Sequence, residues 1–227
     1  MTPTRAALTP WLTGLRASAA IALGYAPIAF SFGIAARQAG LDALLVLGIS
    51  TFVYAGGSQF VLIGLLTSGA GVLTAVPTIW LLNARHLLYG PALAPQLAGA
   101  RTRGAGLTDE VFAYAAAQMS QQPPEARAAW LGGVQAGAYA AWVGGTALGV
   151  ALGPGALPPW PVLQAALQFL LPALFFALLL GMDLARQWPV ALVAALAAAL
   201  ALALGWPAHV AVPVALLAGA GWGAWRG

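Results

Sequence analysis

Val76-Pro77-Thr78-Ile79-Trp80-Leu81-Leu82-Asn83-Ala84-Arg85-His86-Leu87-Leu88-Tyr89-Gly90 sets three polar side chains, Asn83, Arg85 and His86, inside an otherwise apolar segment. The run around them, Val72 to Leu93, is long enough to cross a bilayer at about 1.5 Å per residue. An arginine near the middle of such a span carries a penalty on the order of 3 kcal/mol on insertion scales, so something must offset it. Two readings are open. Arg85 snorkels to an interface or satisfies stray carbonyls, or the three residues line a polar site. On an unbroken helix Asn83 and His86 share a face, as do Arg85 and Tyr89, whereas Asn83 and Arg85 point in nearly opposite directions. The spacing therefore predicts either an interrupted helix here or a separate structural or subunit contact for Arg85.

Composition extends this reading to the whole chain. With 61% hydrophobic residues, 6% charged and a mean hydropathy of +0.87, the chain cannot be a soluble globule, which would carry about a quarter charged residues. The 227 residues read as one membrane transport domain: an all-α, polytopic protein of about seven transmembrane helices, some broken or kinked, with a short interfacial helix. The net charge of +4 comes from nine arginines, with no lysine, against five acids. Those arginines are scattered between apolar runs, which argues against a nucleic-acid surface. Without cysteine there is no disulfide or thiolate chemistry.

The first expected span is Ala17 to Ala36, where Pro27 removes a backbone hydrogen bond and predicts a kink or break. Residues 4 to 16 ahead of it are expected in the interface. The second span, Ala43 to Leu66, contains Tyr54-Ala55-Gly56-Gly57-Ser58-Gln59. Paired glycines weaken a helix by about 1 kcal/mol each relative to alanine, and Ser58 is a favoured N-cap for a resumed helix. A break there would turn a half-helix N-terminus, with its free amides, toward an anion in the membrane. Close helix packing by small residues is the alternative.

The third span is the quoted stretch, with Pro77 read as a first-turn proline or a mild kink. The long connection from 94 to 127 contains a capped helix start, Thr108 as N-cap and Asp109 and Glu110 in the first turn. At about a dozen residues that helix, expected over 104 to 117, is too short to span. The fourth span, Ala128 to Leu152, carries Gly133-x-x-x-Gly137 and Gly145-x-x-x-Gly149, which permit close helix contact. The fifth, Pro161 to Met182, has Gln164, Gln168 and a second predicted break at Pro172. Trp188 to Leu204 and Pro207 to Trp225 complete the set as scaffold, with His209 near an end.

Most tryptophans fall near span ends, as in aromatic belts, with Trp80 and Trp142 left to packing. A faint echo between Ala26-Pro27-Ile28-Ala29-Phe30 and Leu171-Pro172-Ala173-Leu174-Phe175 points to a weak repeat, 17–93 and 161–225, linked by 94–160.

No hydrolase, P-loop or zinc-protease signature is present, and two histidines without cysteine give no metal cluster. The chain is expected not to be an enzyme and to need no cofactor. Broken helices with isolated polar groups are the pattern of secondary transporters, and without a nucleotide-binding motif coupling would use an ion gradient. The competing class is a non-transporting membrane subunit or scaffold, or a transporter or channel for another small solute.

Five motifs occur in one order: Tyr25-Ala26-Pro27-Ile28-Ala29-Phe30-Ser31-Phe32-Gly33, Tyr54-Ala55-Gly56-Gly57-Ser58-Gln59-Phe60, Asn83-Ala84-Arg85-His86-Leu87-Leu88-Tyr89-Gly90-Pro91, Gly106-Leu107-Thr108-Asp109-Glu110-Val111-Phe112-Ala113 and Leu171-Pro172-Ala173-Leu174-Phe175. Together, over about residues 15 to 182, they resemble the AzlC family, the large subunit of bacterial branched-chain amino acid exporters. The resemblance implies export of leucine, isoleucine and valine, often methionine too, driven by the proton gradient, with a small membrane partner of AzlD type.

Gly56, Gly57, Ser58, Gln59, Asn83 and Arg85 are the candidate substrate-binding residues, the substrate carboxylate being expected on the half-helix amides near Ser58. His86, Asp109 and Glu110 are the candidates for proton coupling. His86 has an unperturbed value of about 6.5, within the physiological range. All five acids lie in expected loops or at span ends. Arg85 is therefore expected to be held by backbone carbonyls, water or a partner-subunit group, with Asn83 and His86 beside the glycine break. Arg5 and Arg16 fall on one side of a seven-span arrangement and Arg37, Arg101, Arg103, Arg127, Arg186 and Arg226 on the other. The positive-inside rule then places the N-terminus outside and the C-terminus in the cytoplasm of a bacterial inner-membrane protein.

Overall fold

The structure, a computed structural model, describes residues 5–97, 106–153, 169 and 184–226. Among these there is helix and no strand: α1 (Arg5–Ala17), α2 (Ala19–Gln38), α3 (Ala43–Val53), α4 (Gly56–Thr67), α5 (Val72–Asn83), α6 (His86–Leu93), α7 (Asp109–Gln118), α8 (Arg127–Leu152), α9 (Leu184–Ala203) and α10 (Ala208–Arg226). Short 3-10 turns, Ala94–Leu97 and Met119–Gln121, follow α6 and α7. The chain divides into two compact units, Met1–Gln59 with Asn83–Leu167, and Phe60–Leu82 with Gln168–Gly227. Pro172, Gln164 and Gln168 lie outside the described residues.

The first unit is built on α8. Its 26 residues reach about 39 Å, enough to cross a bilayer. Its glycines let two helices approach to backbone contact. Gly133 and Gly137 meet α1 and Ser18, with no room for a Cβ against the Trp11 carbonyl or the Ser18 hydroxyl. Gly145 and Gly149 meet α2: a Cβ on Gly145 would lie 2.8 Å from the Ala26 carbonyl oxygen. On Gly33, across the contact, it would lie 2.6 Å from that of Thr146. In lipid such packing substitutes dispersion for the hydrophobic drive that water would supply, and both Gly-x-x-x-Gly expectations hold.

Pro27 does not break the first span. α2 runs unbroken from Ala19 to Gln38 with Pro27 inside it. The proline removes one ladder bond, but Tyr25, Ile28 and Ala29 on either side are buried and the Ala26 carbonyl is pressed against Gly145, so packing carries the helix through. Among the described residues α2 is the helix that alone combines the length and apolarity to cross a membrane.

The second and third spans are each two shorter helices. Asp42 caps α3, its carboxylate accepting from Leu44 N at 2.8 Å. Tyr54 ends the helix in the left-handed region, φ 35° and ψ 51°, a conformation that costs a non-glycine residue about 1–2 kcal/mol. The predicted break is therefore present, but Ser58 is not its N-cap. α4 begins two residues earlier at Gly56, and the Ser58 hydroxyl donates back to the Ala55 carbonyl at 2.9 Å. The third span is interrupted between Asn83 and His86, the first of the two outcomes that the spacing of its polar residues allowed. Pro77 lies inside α5 rather than in its first turn.

α7 starts as expected. Thr108 accepts from Val111 N, with Asp109 and Glu110 in the first turn. Ten residues reach about 15 Å and do not cross. Its middle stacks Tyr114 on Trp130, centroids 6.1 Å apart, while Gly106 just before it lies against Gln135. The head of α7 thus sits further along α8 than its middle.

In the second unit α9 and α10 form a hairpin. Gly205, at φ 79°, turns the chain after α9, and Gly219 packs on Ala194 and Val190. Trp80 on α5 is 69% exposed, so packing within the described chain does not account for it.

Candidate functional site

The head of α7 places two consecutive carboxylates in unlike surroundings. Asp109 takes a bidentate pair from Arg85, Nε to Oδ1 at 2.8 Å and Nη2 to Oδ2 at 2.6 Å, and also accepts from the Tyr89 hydroxyl. Arg85 and Tyr89 share a face as the (i, i+4) spacing required. The Tyr89 ring is stacked on Phe112 at 4.5 Å and 11°, and the His86 ring lies tilted beside it at 5.4 Å. His86 is also within electrostatic reach of Asp109 and Arg85.

The expectation that Arg85 lacks an acidic partner is overturned. Asp109 belongs to a connection in sequence, but α7 carries that connection inward along α8. A fork-to-fork pair offsets more of the burial penalty than scattered carbonyls could.

Among the described residues Glu110 has no cation bonded to it. Its Oε2 accepts from the Tyr25 hydroxyl at 2.5 Å, and that hydroxyl is also 2.5 Å from Thr108 Oγ1. Each hydroxyl has one proton. With Tyr25 donating to Glu110, Thr108 must donate to Tyr25 while its oxygen accepts from Val111 N, which gives a single directed chain of donors ending on the carboxylate. Burial pushes the Glu110 carboxyl above its ordinary value, and the Tyr25 bond pulls against this without cancelling it. Tyr25 lies six residues into α2, about 9 Å from that helix's start.

Tyr25 also joins Glu110 to the glycine break. Its ring is edge-on to Trp142 at 5.1 Å and to Tyr54 at 6.4 Å, and Tyr54 is edge-on to Tyr139 at 5.0 Å. These rings hold the break shut. Tyr139 donates to the Thr51 carbonyl at 3.0 Å, one of the carbonyls left over at the end of α3. Trp142 Nε1 donates to Gln59 Oε1 at 3.2 Å, Gln59 Nε2 donates to the Ile49 carbonyl at 3.4 Å, and Ser50 pairs with Thr146 at 2.8 Å.

Among the predicted substrate residues, Ser58 and Gln59 are buried with their polar atoms engaged by protein. Gly56 faces Trp142 so closely that a Cβ would lie 2.5 Å from its indole, and Gly57 is half-buried beside it. Asn83 is half-buried at the other interruption, its Oδ1 a buried acceptor without a partner among the described residues. Arg85, His86, Asp109 and Glu110 are brought together. Sequence reasoning gives no site role to Tyr25, Tyr54 and Tyr139, leaves Trp142 to packing, and takes Tyr89 only as sharing a face with Arg85. The signal was their depth, since a tyrosine or tryptophan away from the interfacial belts needs a polar partner in the span.

Interrupted helices, with an ion pair at one interruption and a half-buried carboxyl held by Tyr25 of α2, define a polytopic α-helical membrane protein. The family model of the AzlC protein matches residues 20–155, a segment that holds both carboxylate clusters. The chain is 35% identical over 215 residues to the inner membrane protein YgaZ of Escherichia coli, covering 92% of this chain and 86% of that one. It is 37% identical over 169 residues to an uncharacterized membrane protein of Archaeoglobus fulgidus, covering 74% and 73%. A membrane protein of Helicobacter pylori is 36% identical over 97 residues, covering 41% and 42%. No solved structure matches significantly. This chain belongs to the AzlC family.

Proposed function

We propose that the chain is a secondary active exporter of branched-chain amino acids, leucine, isoleucine and valine with methionine, working by proton antiport with a small AzlD-type subunit. The observation that carries this reading is Glu110. A carboxyl held half-buried by the hydroxyls of Tyr25 and Thr108, with its proton affinity raised by burial, is suited to take a proton from one side and release it when solvent reaches it. Its neighbour Asp109 is paired with Arg85, so two adjacent acids have separate roles set by their surroundings.

The arginine distribution supports a cytoplasmic C-terminus and an outer N-terminus, which puts α7 on the side where an exporter collects substrate. Counterflow of labelled leucine in proteoliposomes, with and without the small subunit, tests the reading. Accumulation driven by an imposed pH gradient is expected. Leucine that neither exchanges nor accumulates under either condition would favour the competing reading of a non-transporting subunit, which the protein-satisfied contacts of Tyr139, Trp142 and Gln59 would equally serve.

A further inference from the structure

Resting on that reading, we infer that the Arg85–Asp109 pair is the receptor for the zwitterionic head of an α-amino acid, which enters between the two side chains. The substrate carboxylate takes the guanidinium fork. Its ammonium takes Asp109 Oδ2, while the Tyr89 hydroxyl keeps hold of Oδ1. Asp109 thus occupies, before substrate arrives, the position of the substrate's own carboxylate.

Three observations separate this pair from a structural salt bridge. The side chains are 41% and 26% exposed, so a ligand can reach both, whereas the polar contacts around the glycine break are made by side chains such as Gln59 and Thr146, each 0% exposed. The pair sits at the interruption of the third span, where Asn83 Oδ1 is a buried acceptor lacking a donor among the described residues. The Tyr89–Phe112 stack puts apolar surface beside Asp109 for an aliphatic side chain.

Charge balance then sets the ligand class. Arginine and aspartate together are neutral, and so is a zwitterion. Inserting one between them leaves each of the four charges with a partner, and neither protein charge is left unpaired. A ligand with only a carboxylate displaces Asp109 and gives it nothing in return. One with only an ammonium strands Arg85.

Binding to the purified full chain in nanodiscs tests this with three probes: leucine, 4-methylpentanoate, which lacks the ammonium, and leucinamide, which lacks the carboxylate. Leucine should bind wild type at least about tenfold more tightly than either. Asp109→Asn leaves Arg85 without a partner, so the preference should move toward 4-methylpentanoate by about tenfold. Arg85→Gln should move it toward leucinamide. The wild-type series needs no variant to fold: if either half-ligand binds as tightly as leucine, the inference falls. It falls also if both variants still bind leucine with the wild-type ranking. Leucine counterflow in wild type alongside such a result sinks the inference alone, whereas absence of exchange and accumulation both with and without the small subunit sinks the exporter reading itself.

Discussion

The two interruptions in the first unit solve the same problem in opposite ways. At Tyr54–Gly56 the polar groups are met from within: Tyr139 takes the Thr51 carbonyl left over at the helix end, Gln59 adds a bond to the Ile49 carbonyl, and Trp142 holds Gln59. At Ala84–Arg85 the charge is met by a half-exposed carboxylate on a helix that does not cross the membrane. A helix broken in a bilayer must have its polar groups satisfied. Whether the protein or a solute can satisfy them separates a structural break from one open to exchange.

The largest effect expected from this contrast is at Gly56. A valine there drives a Cβ into the Trp142 indole, itself 3% exposed and unable to yield. Gly56→Val should destabilise the first unit by about 3 kcal/mol. It should be seen as a lower melting temperature in detergent and poor recovery of folded protein. A normal melt would mean that the glycine break is looser than its contacts indicate.

Next comes Glu110→Gln, which keeps the hydrogen-bonding shape and removes the titration. Accumulation against a gradient should fall by about tenfold or more while leucine exchange continues. Stability should respond as well. A carboxyl whose folded value lies above the ordinary 4.5 contributes most below that pH and loses its contribution as pH rises through the folded value. Wild type should therefore lose stability relative to Glu110→Gln as the pH climbs above 4.5. Parallel melting curves from acid to neutral pH would show that Glu110 carries no such proton.

Trp142→Phe tests the sealed break more gently. The ring contact with Tyr25 survives, but Gln59 Oε1 loses its donor and stays buried, which should lower stability by about 1–2 kcal/mol with coupling to protons unchanged. Ser58→Ala should have the smallest effect. The lost hydroxyl bonds only the Ala55 carbonyl three residues back, so the melt should shift by less than about 0.5 kcal/mol and leucine affinity should hold. A large loss of leucine affinity in this variant would move the carboxylate site back to the half-helix amides and reverse the roles of the two interruptions.

Sequence alone determined the features that composition and local chain chemistry dictate. Few charges among many apolar residues required a membrane protein, because lipid admits little else. Gly56-Gly57 and the crowded Asn83, Arg85 and His86 marked where helices could be interrupted, with close packing or a separate contact for Arg85 as the alternatives, and Thr108 with two acids after it marked the start of α7. These are properties of near neighbours along the chain. Tertiary structure alone decided which groups meet. Pro27 is carried through because α8 presses on the Ala26 carbonyl, a contact 119 residues away in sequence, from Ala26 to Gly145. Arg85 found Asp109, and Glu110 found Tyr25, because α7 lies inward along α8. Both acids appear in sequence at the start of a short helix within a connection, and depth in the membrane is not written into the residues that acquire it. It is set by the helix they ride on and by the glycine face that lets other helices close around it.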